Sequence, residues 1–373
     1  FITAAFLLLR RLSNFRRQFT QISMLLPAVL LAAAFLTAGE NPLYSRIARQ
    51  VTPPETESYL ARAMASVHGG EDEENSKATQ DTAVATDDEE VAVGPEFRLP
   101  GIRDADIIVL IVESYGNTVF TNEEHYIRME DAYKTYESKL AAENIMTASA
   151  LVVSPIAGGR SWLADATFLS GISLTSQALF DALMKKRPYT LVHFLQESGY
   201  YTVFAAPGTT YLFDDWTEVF PFDRYIIRGD FGYEGPFLSF GAMPDQFFLE
   251  CIRRFMVQIQ TGGEQVGKNP QTDPQQPVFI EALLSTSHTP FDVVPAYIED
   301  WTMLGDGSIY GELESRFYDN GWLSGNEYPE GYTDSMRYVL TSITDFAVKY
   351  LDTDDLLFIM GDHQPRYPVL EQG

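Results

Sequence analysis

The chain has 373 residues, 45% of them hydrophobic and 13% aromatic, which makes it too long for a small stapled module and too apolar for a disordered chain. Against 26 Lys+Arg stand 52 Asp+Glu, a formal net charge of -26, so the basic footprint of a nucleic-acid binder is missing and no nucleic-acid partner is expected. One cysteine, Cys251, excludes an intramolecular disulfide and a thiolate cluster, leaving carboxylate, imidazole and hydroxyl groups to hold any metal.

In chain order, Phe1 to Leu9 is an apolar run that begins abruptly and reads as the end of a hydrophobic helix. Arg10, Arg11, Arg16 and Arg17 follow, and Ile22 to Ala38 is again almost wholly apolar. With its flanks this second run approaches the ~20 residues that cross a bilayer. A secretory signal peptide is the competing reading, but the apolar stub and the arginine turn fit two membrane helices better. Residues 1–40 are therefore expected to be a membrane anchor. The positive-inside rule puts the arginines in the cytoplasm and everything after Glu40 outside the inner or plasma membrane. Residues 41–103, with acidic runs at Glu71 to Glu74 and Asp87 to Glu90, read as a solvated linker. A second polar stretch, Gly262 to Gln276, reads as a surface loop.

From Asp106 onward, continuous apolar runs alternate with helical patterns. Ile107 to Val112, Tyr201 to Ala205, Val278 to Leu284 and Leu356 to Met360 suit strands covered on both faces. Leu191 to Ser198, Asp245 to Gln258 and Asp334 to Leu351 carry helical periodicity. The fold class expected for 104–373 is α/β, a mainly parallel central sheet flanked by helices. Sites in such sheets lie beyond the carboxyl ends of the strands.

There the sequence places Glu113 after the first run and Asp362-His363 after the last. Taken singly, Glu113 reads equally as a helix cap or salt-bridge carboxylate and His363 as a loop histidine. Together they offer oxygen and imidazole donors for one divalent ion such as Zn²⁺ or Mn²⁺. Between them, Gly158-Gly159-Arg160-Ser161 opens a helical pattern, where Ser161 is either an N-cap or a hydroxyl activated at a helix N-terminus. Tyr211, Phe213, Trp216, Phe220 and Phe222 form an aromatic cluster, read first as core packing and second as a wall of a lipid-like cleft. His68, His125 and His193 have no acidic partner at ligand spacing and read as structural. Asp245 opens a helix after Pro244, either as a cap or in support of the site.

Four segments in this order, Asp106 to Ser114, Gly159 to Trp162, Leu284 to Phe291 and Ile359 to Pro365, resemble the alkaline phosphatase and sulfatase superfamily. Within it the chain is similar to the membrane-anchored, sulfatase-like branch that contains lipoteichoic acid synthases and phosphoglycerol and phosphoethanolamine transferases. The resemblance implies an alkaline-phosphatase-like fold and one divalent metal ion, Mn or Zn, held by Glu113, Ser161, Asp362 and His363. It also implies Ser161 as nucleophile, His288 as a catalytic and substrate-binding residue, with a loop histidine bonded to backbone as the alternative, and a phospholipid or envelope glycan substrate. Arg160, beside the nucleophile, is a candidate to bind an anionic oxygen or to form a structural salt bridge. Relatives continue past Pro365, so 104–373 is expected to be a catalytic domain lacking its C-terminal part.

Two departures shape the expected activity. Ser161 is followed by Trp162-Leu163-Ala164-Asp165 rather than the Pro/Ala-x-Arg context of a formylglycine sulfatase, and Leu212 to Trp216 places two acids where a phosphoglycerol polymerase has an arginine. The expected function is a metal-dependent phosphoester hydrolase or phosphoryl transferase. The alternatives are a sulfuric ester hydrolase and a non-catalytic envelope protein of this fold.

Overall fold

Ile107–Val112 is apolar at every position and buried at every position, the pattern of a strand with helices on both faces. A computed structural model describes residues 3–11, 105–238, 241, 243–261, 276–312 and 328–366. In chain order the strands are β1 (Thr3–Arg11), β2 (Ile107–Val112), β3 (Ile145–Val153), β4 (Tyr201–Ala206), β5 (Arg224–Ile227), β6 (Val278–Leu284) and β7 (Leu356–Gly361). They form one sheet in the order β3-β1-β7-β2-β6-β4-β5. β7, β2, β6, β4 and β5 run parallel, and β1 lies antiparallel between β3 and β7. The mainly parallel sheet read from the sequence is present.

The helices are α1 (Thr118–Thr121), α2 (Glu123–Ala142), α3 (Ser161–Ser170), α4 (Gln177–Lys186), α5 (Leu191–Glu197), α6 (Asp214–Val219), α7 (Asp245–Thr261) and α8 (Tyr328–Tyr350). The period-2 alternation of β2 divides them into two layers. Ile108, Leu110 and Val112 join Met129 and Leu140 of α2, Phe248 and Ile252 of α7, and Val339 and Ile343 of α8. Ile107, Val109 and Ile111 join Leu163, Ala166 and Leu169 of α3, Leu183 of α4, Leu195 of α5 and Val219 of α6.

One local reading is corrected. Thr3–Arg11, within the stretch expected to end a membrane helix, is strand β1, registered with Ile145–Val153 on one side and Leu357–Met360 on the other. A short apolar run without helical period suits a doubly covered strand as well as a helix, and here the sheet takes it. The rest of the proposed anchor, including Ile22 to Ala38, lies outside the described residues, as do the 41–103 linker and the 262–275 loop. Among the described residues no helix is long and apolar enough to cross a membrane.

The aromatic group after β4 divides. Trp216, Phe220 and Phe222 are buried with Phe204, whereas Tyr211 and Phe213 meet edge-on in the open, 63% and 65% exposed. Core packing therefore accounts for three of the five.

Candidate metal centre

Parallel register alone brings the first candidate ligands together. Val112 pairs with Gly361 and with Leu284, so the residues that follow, Glu113, Asp362 and Ser285, leave the sheet side by side. Glu113 N–H donates to the Leu284 carbonyl at 3.2 Å and Asp362 N–H to the Val112 carbonyl at 3.4 Å, which carries the ladder one step past the strands. Immediately afterwards Ser114 turns into the left-handed region at φ 60°. That turn aims its N–H at Asp362 Oδ1, 2.8 Å away, and its hydroxyl donates to Glu113 Oε1 at 2.9 Å. His363 N–H donates to the same Asp362 oxygen at 2.7 Å.

Ser161 arrives from the opposite layer. Gly158, Gly159 and Arg160 all have positive φ, 62°, 125° and 67°, reversing the chain after β3. Gly159 at 125° occupies backbone space that is strained for any residue with a Cβ. The turn is tied to the ligand loop by Gly158 N–H donating to the Gln364 carbonyl at 3.1 Å and Ser154 Oγ to the Asp362 carbonyl at 2.6 Å. The N-cap of α3 is Arg160, so Ser161 is the first helical residue and its hydroxyl is not spent on capping. Instead Ser161 Oγ donates to Glu113 Oε2 at 3.2 Å and lies 3.3 Å from His363 Nε2.

The donor set fits a cation. His363 Nδ1 bonds the Gln364 carbonyl at 2.8 Å, which assigns its proton to Nδ1 and turns the Nε2 lone pair inward. That lone pair meets Glu113 Oε1 at 3.5 Å and Asp362 Oδ2 at 3.3 Å. One ligand atom each from Glu113, Asp362 and His363 falls within a 4.8 Å cluster. Three electron-rich groups facing one point repel unless positive charge sits among them. Burial first, then the charge of Glu113, pushes the Asp362 carboxyl up to about 7. A dication would reverse that shift.

His288 follows β6 on the same rim. Its N–H closes a turn to the Ser285 carbonyl at 3.1 Å, and its Nδ1 lies 2.5 Å from the Thr289 carbonyl. Burial chiefly, with the nearby His363 and Arg366, lowers its proton affinity, while Asp362 raises it. Arg160 is exposed at the mouth of the turn. His125 and His193, read as structural, are occupied by Thr118 and Thr190 respectively.

Several residues that shape the site went unread. Ser287 Oγ donates to the Glu113 carbonyl at 2.6 Å and Tyr332 OH to the Ser114 carbonyl at 2.9 Å. Asp245, which the sequence offered as a cap or as support of the site, binds the loop after β6, and burial pushes its carboxyl up to about 7 against three hydrogen bonds that lower it. Arg366 packs over Gly158, where an added Cβ would come 3.2 Å from its Cγ. Asp165, one helical turn beyond Ser161, is buried with Oδ1 unbonded, and Glu281 in the middle of β6 is fully buried with both carboxylate oxygens unbonded. Burial, then Asp362 and Glu113, raises Asp165; burial, then Asp165, raises Glu281. The i, i+4 spacing from Ser161 was the available signal for Asp165.

No protein-family model matches the chain, and no curated protein matches it. Similar solved structures include the following two. One is a protein in the alkaline phosphatase superfamily from Vibrio parahaemolyticus, 16% identical with a TM-score of 0.42, covering 71% of this chain and 56% of that one. The other is the lipoteichoic acid synthase LtaP from Listeria monocytogenes, 14% identical with a TM-score of 0.42, covering 71% of this chain and 58% of that one. The chain thus spans a little over half the length of each.

Proposed function

We propose that this chain is a metal-dependent phosphoester hydrolase or phosphoryl transferase of the alkaline phosphatase superfamily, with Ser161 as its nucleophile. The observation that carries the reading is Ser161 Oγ at 3.2 Å from Glu113 and 3.3 Å from His363, at a helix N-terminus, beside the buried Asp362. Glu113, Asp362, His363 and the Ser161 hydroxyl would hold the ion, and their mixed oxygen and nitrogen donors suit Mn²⁺ or Zn²⁺. Such an ion lowers the pKa of the hydroxyl and offsets the charge of the phosphoryl oxygens.

The chain's own residues then divide the work. As the Ser161 Oγ–phosphorus bond forms, the hydroxyl proton leaves along the hydrogen bond toward Glu113 and the ester P–O bond breaks. The departing oxygen takes its proton from His288, whose ring gains one when an anionic ester offsets the effect of burial. Water or an acceptor alcohol next gives its proton to His288 as it attacks phosphorus, the Oγ–phosphorus bond breaks, and Ser161 recovers its proton from Glu113. Arg160 and Arg366 supply positive charge at the mouth of the site, suiting an anionic substrate. The substrate we favour is a phospholipid or an envelope glycan, reached by an extracytoplasmic domain anchored in the inner or plasma membrane through Ile22 to Ala38.

The test is turnover of a chromogenic phosphodiester, phosphomonoester and sulfate ester by the full chain with Mn²⁺ or Zn²⁺, alongside Ser161→Ala. Phosphoester turnover that vanishes in the variant supports the reading. Turnover of the sulfate ester alone, or a variant as fast as the parent, overturns it.

A further inference from the structure

Asp245 stands at the head of α7, and its side chain serves a different element. Its carboxylate is fully buried. Oδ1 accepts the Ser285 N–H at 2.9 Å and Oδ2 accepts the Thr286 N–H at 3.0 Å. The Asp245 N–H in turn donates to Thr286 Oγ1 at 2.9 Å. Three bonds from one residue therefore grip two consecutive residues just past the end of β6. At the far side of this turn Ser287 Oγ holds the Glu113 carbonyl, and His288 N–H closes back on Ser285. The turn is clamped between Asp245 and the peptide of a metal ligand, and His288 is its next residue.

Two N–H groups aimed at one spot need two acceptors, and a carboxylate is the side chain that presents two. An amide would offer one acceptor and set its NH₂ against the other N–H. We infer that Asp245 is a positioning residue that fixes His288 opposite Glu113, Asp362 and His363, acting through the Ser285–Thr286 peptide N–H groups. The inference rests on the proposed role of His288. Its content is the coupling: Asp245 affects turnover through His288 and not through metal binding or general stability.

The experiment is a double-mutant cycle on the full chain, with Mn²⁺ and the chromogenic phosphoester that it turns over. Asp245→Asn is expected to lower kcat by ~10- to 100-fold, as a displaced catalytic group does, with KM and calorimetric Mn²⁺ affinity changed by less than about threefold. In a His288→Ala background the same substitution is expected to cost less than about twofold. Thr286→Val, which removes the reciprocal acceptor, should reproduce the loss in milder form and Thr286→Ser should restore most of the rate; this pair replaces Asp245→Asn if that variant does not fold. Equal losses in both backgrounds, or an unchanged kcat, overturn the inference. If His288→Ala alone leaves kcat intact, the proposed role of His288 fails, and a fall in Asp245→Asn then assigns the clamp to Glu113 instead. A readout independent of turnover is long-range nitrogen NMR of the five ¹⁵N-labelled histidines. One sharp His288 ring pattern should become broadened or doubled in Asp245→Asn, and an unchanged pattern overturns the positioning.

Discussion

Single residues in and beneath the site have their own expected signatures. Asp362 presents Oδ1 to two peptide N–H groups and Oδ2 to the His363 ring, so Asp362→Ala removes a ligand and unties the turn at Ser114. Metal binding and turnover should disappear together, measured by Mn²⁺ titration calorimetry and ester hydrolysis. Ser161→Ala removes one hydroxyl from a site that keeps three donors. It should lower turnover by about a thousandfold or more while measurable Mn²⁺ binding survives. Glu281 calls for the opposite kind of test. Its carboxyl is buried without a hydrogen-bond partner and holds a proton that the unfolded chain releases above about pH 4.3. A raised carboxyl pKa stabilises the folded state least where the unfolded chain is ionised. Stability should therefore fall by up to ~1.4 kcal/mol per pH unit as pH rises above that value, until the folded group ionises. Glu281→Gln should make the slope shallower by that share, with the raised Asp165, Asp245 and Asp362 supplying the remainder, read from urea unfolding between pH 5 and pH 8; an unchanged slope would place its origin elsewhere.

At the scale of elements, strand β7 delivers Asp362 and His363 by passing close to another strand end. A Cβ added at Gly361 would collide with the Tyr115 carbonyl, which belongs to the turn that orients Glu113. Gly361→Ala should cost ~1–3 kcal/mol through overpacking and weaken Mn²⁺ binding with it, measurable by thermal unfolding and calorimetry on one sample. What was legible in the sequence follows the same logic. β2, β4, β6 and β7 are covered on both faces, which writes them as apolar runs interrupted only by Thr202 in β4 and Glu281 in β6, and Glu113, Asp362 and His363 follow directly on two of them. β3, with Thr147 and Ser149 among small residues, and the four-residue β5 carry no such run and went unread. β1 was misread because its apolar stretch states burial without stating period. Asp245 was legible only as a helix opener that either caps or supports the site; its two peptide partners and the Ser287 tie left no trace, since side chains that bond a distant backbone obey no sequence spacing.

At the scale of the whole molecule, a chain with a formal charge of -26 carries a site read as taking anions. The long-range field opposes approach of such a substrate, while Arg160 and Arg366 favour it only at close range. Because the Debye length shrinks from ~30 Å at 0.01 M salt to ~10 Å at 0.1 M, kcat/KM for a dianionic ester should rise severalfold over that interval. An uncharged-substrate control of similar shape should not follow. A fall with salt would show that the arginines outweigh the acidic surface.

The four groups gathered at the rim come from positions 113, 161, 362 and 363, and they meet only when strands from widely separated parts of the chain are in register. No fragment of the sheet contains the assembled site, so occupancy of the proposed metal site would report completion of folding. The coupling runs both ways: an ion that binds only the finished arrangement adds ~2.7 kcal/mol to stability at a hundredfold excess over its Kd. Ion supply would then set how much of the chain is folded as well as how fast the folded chain works.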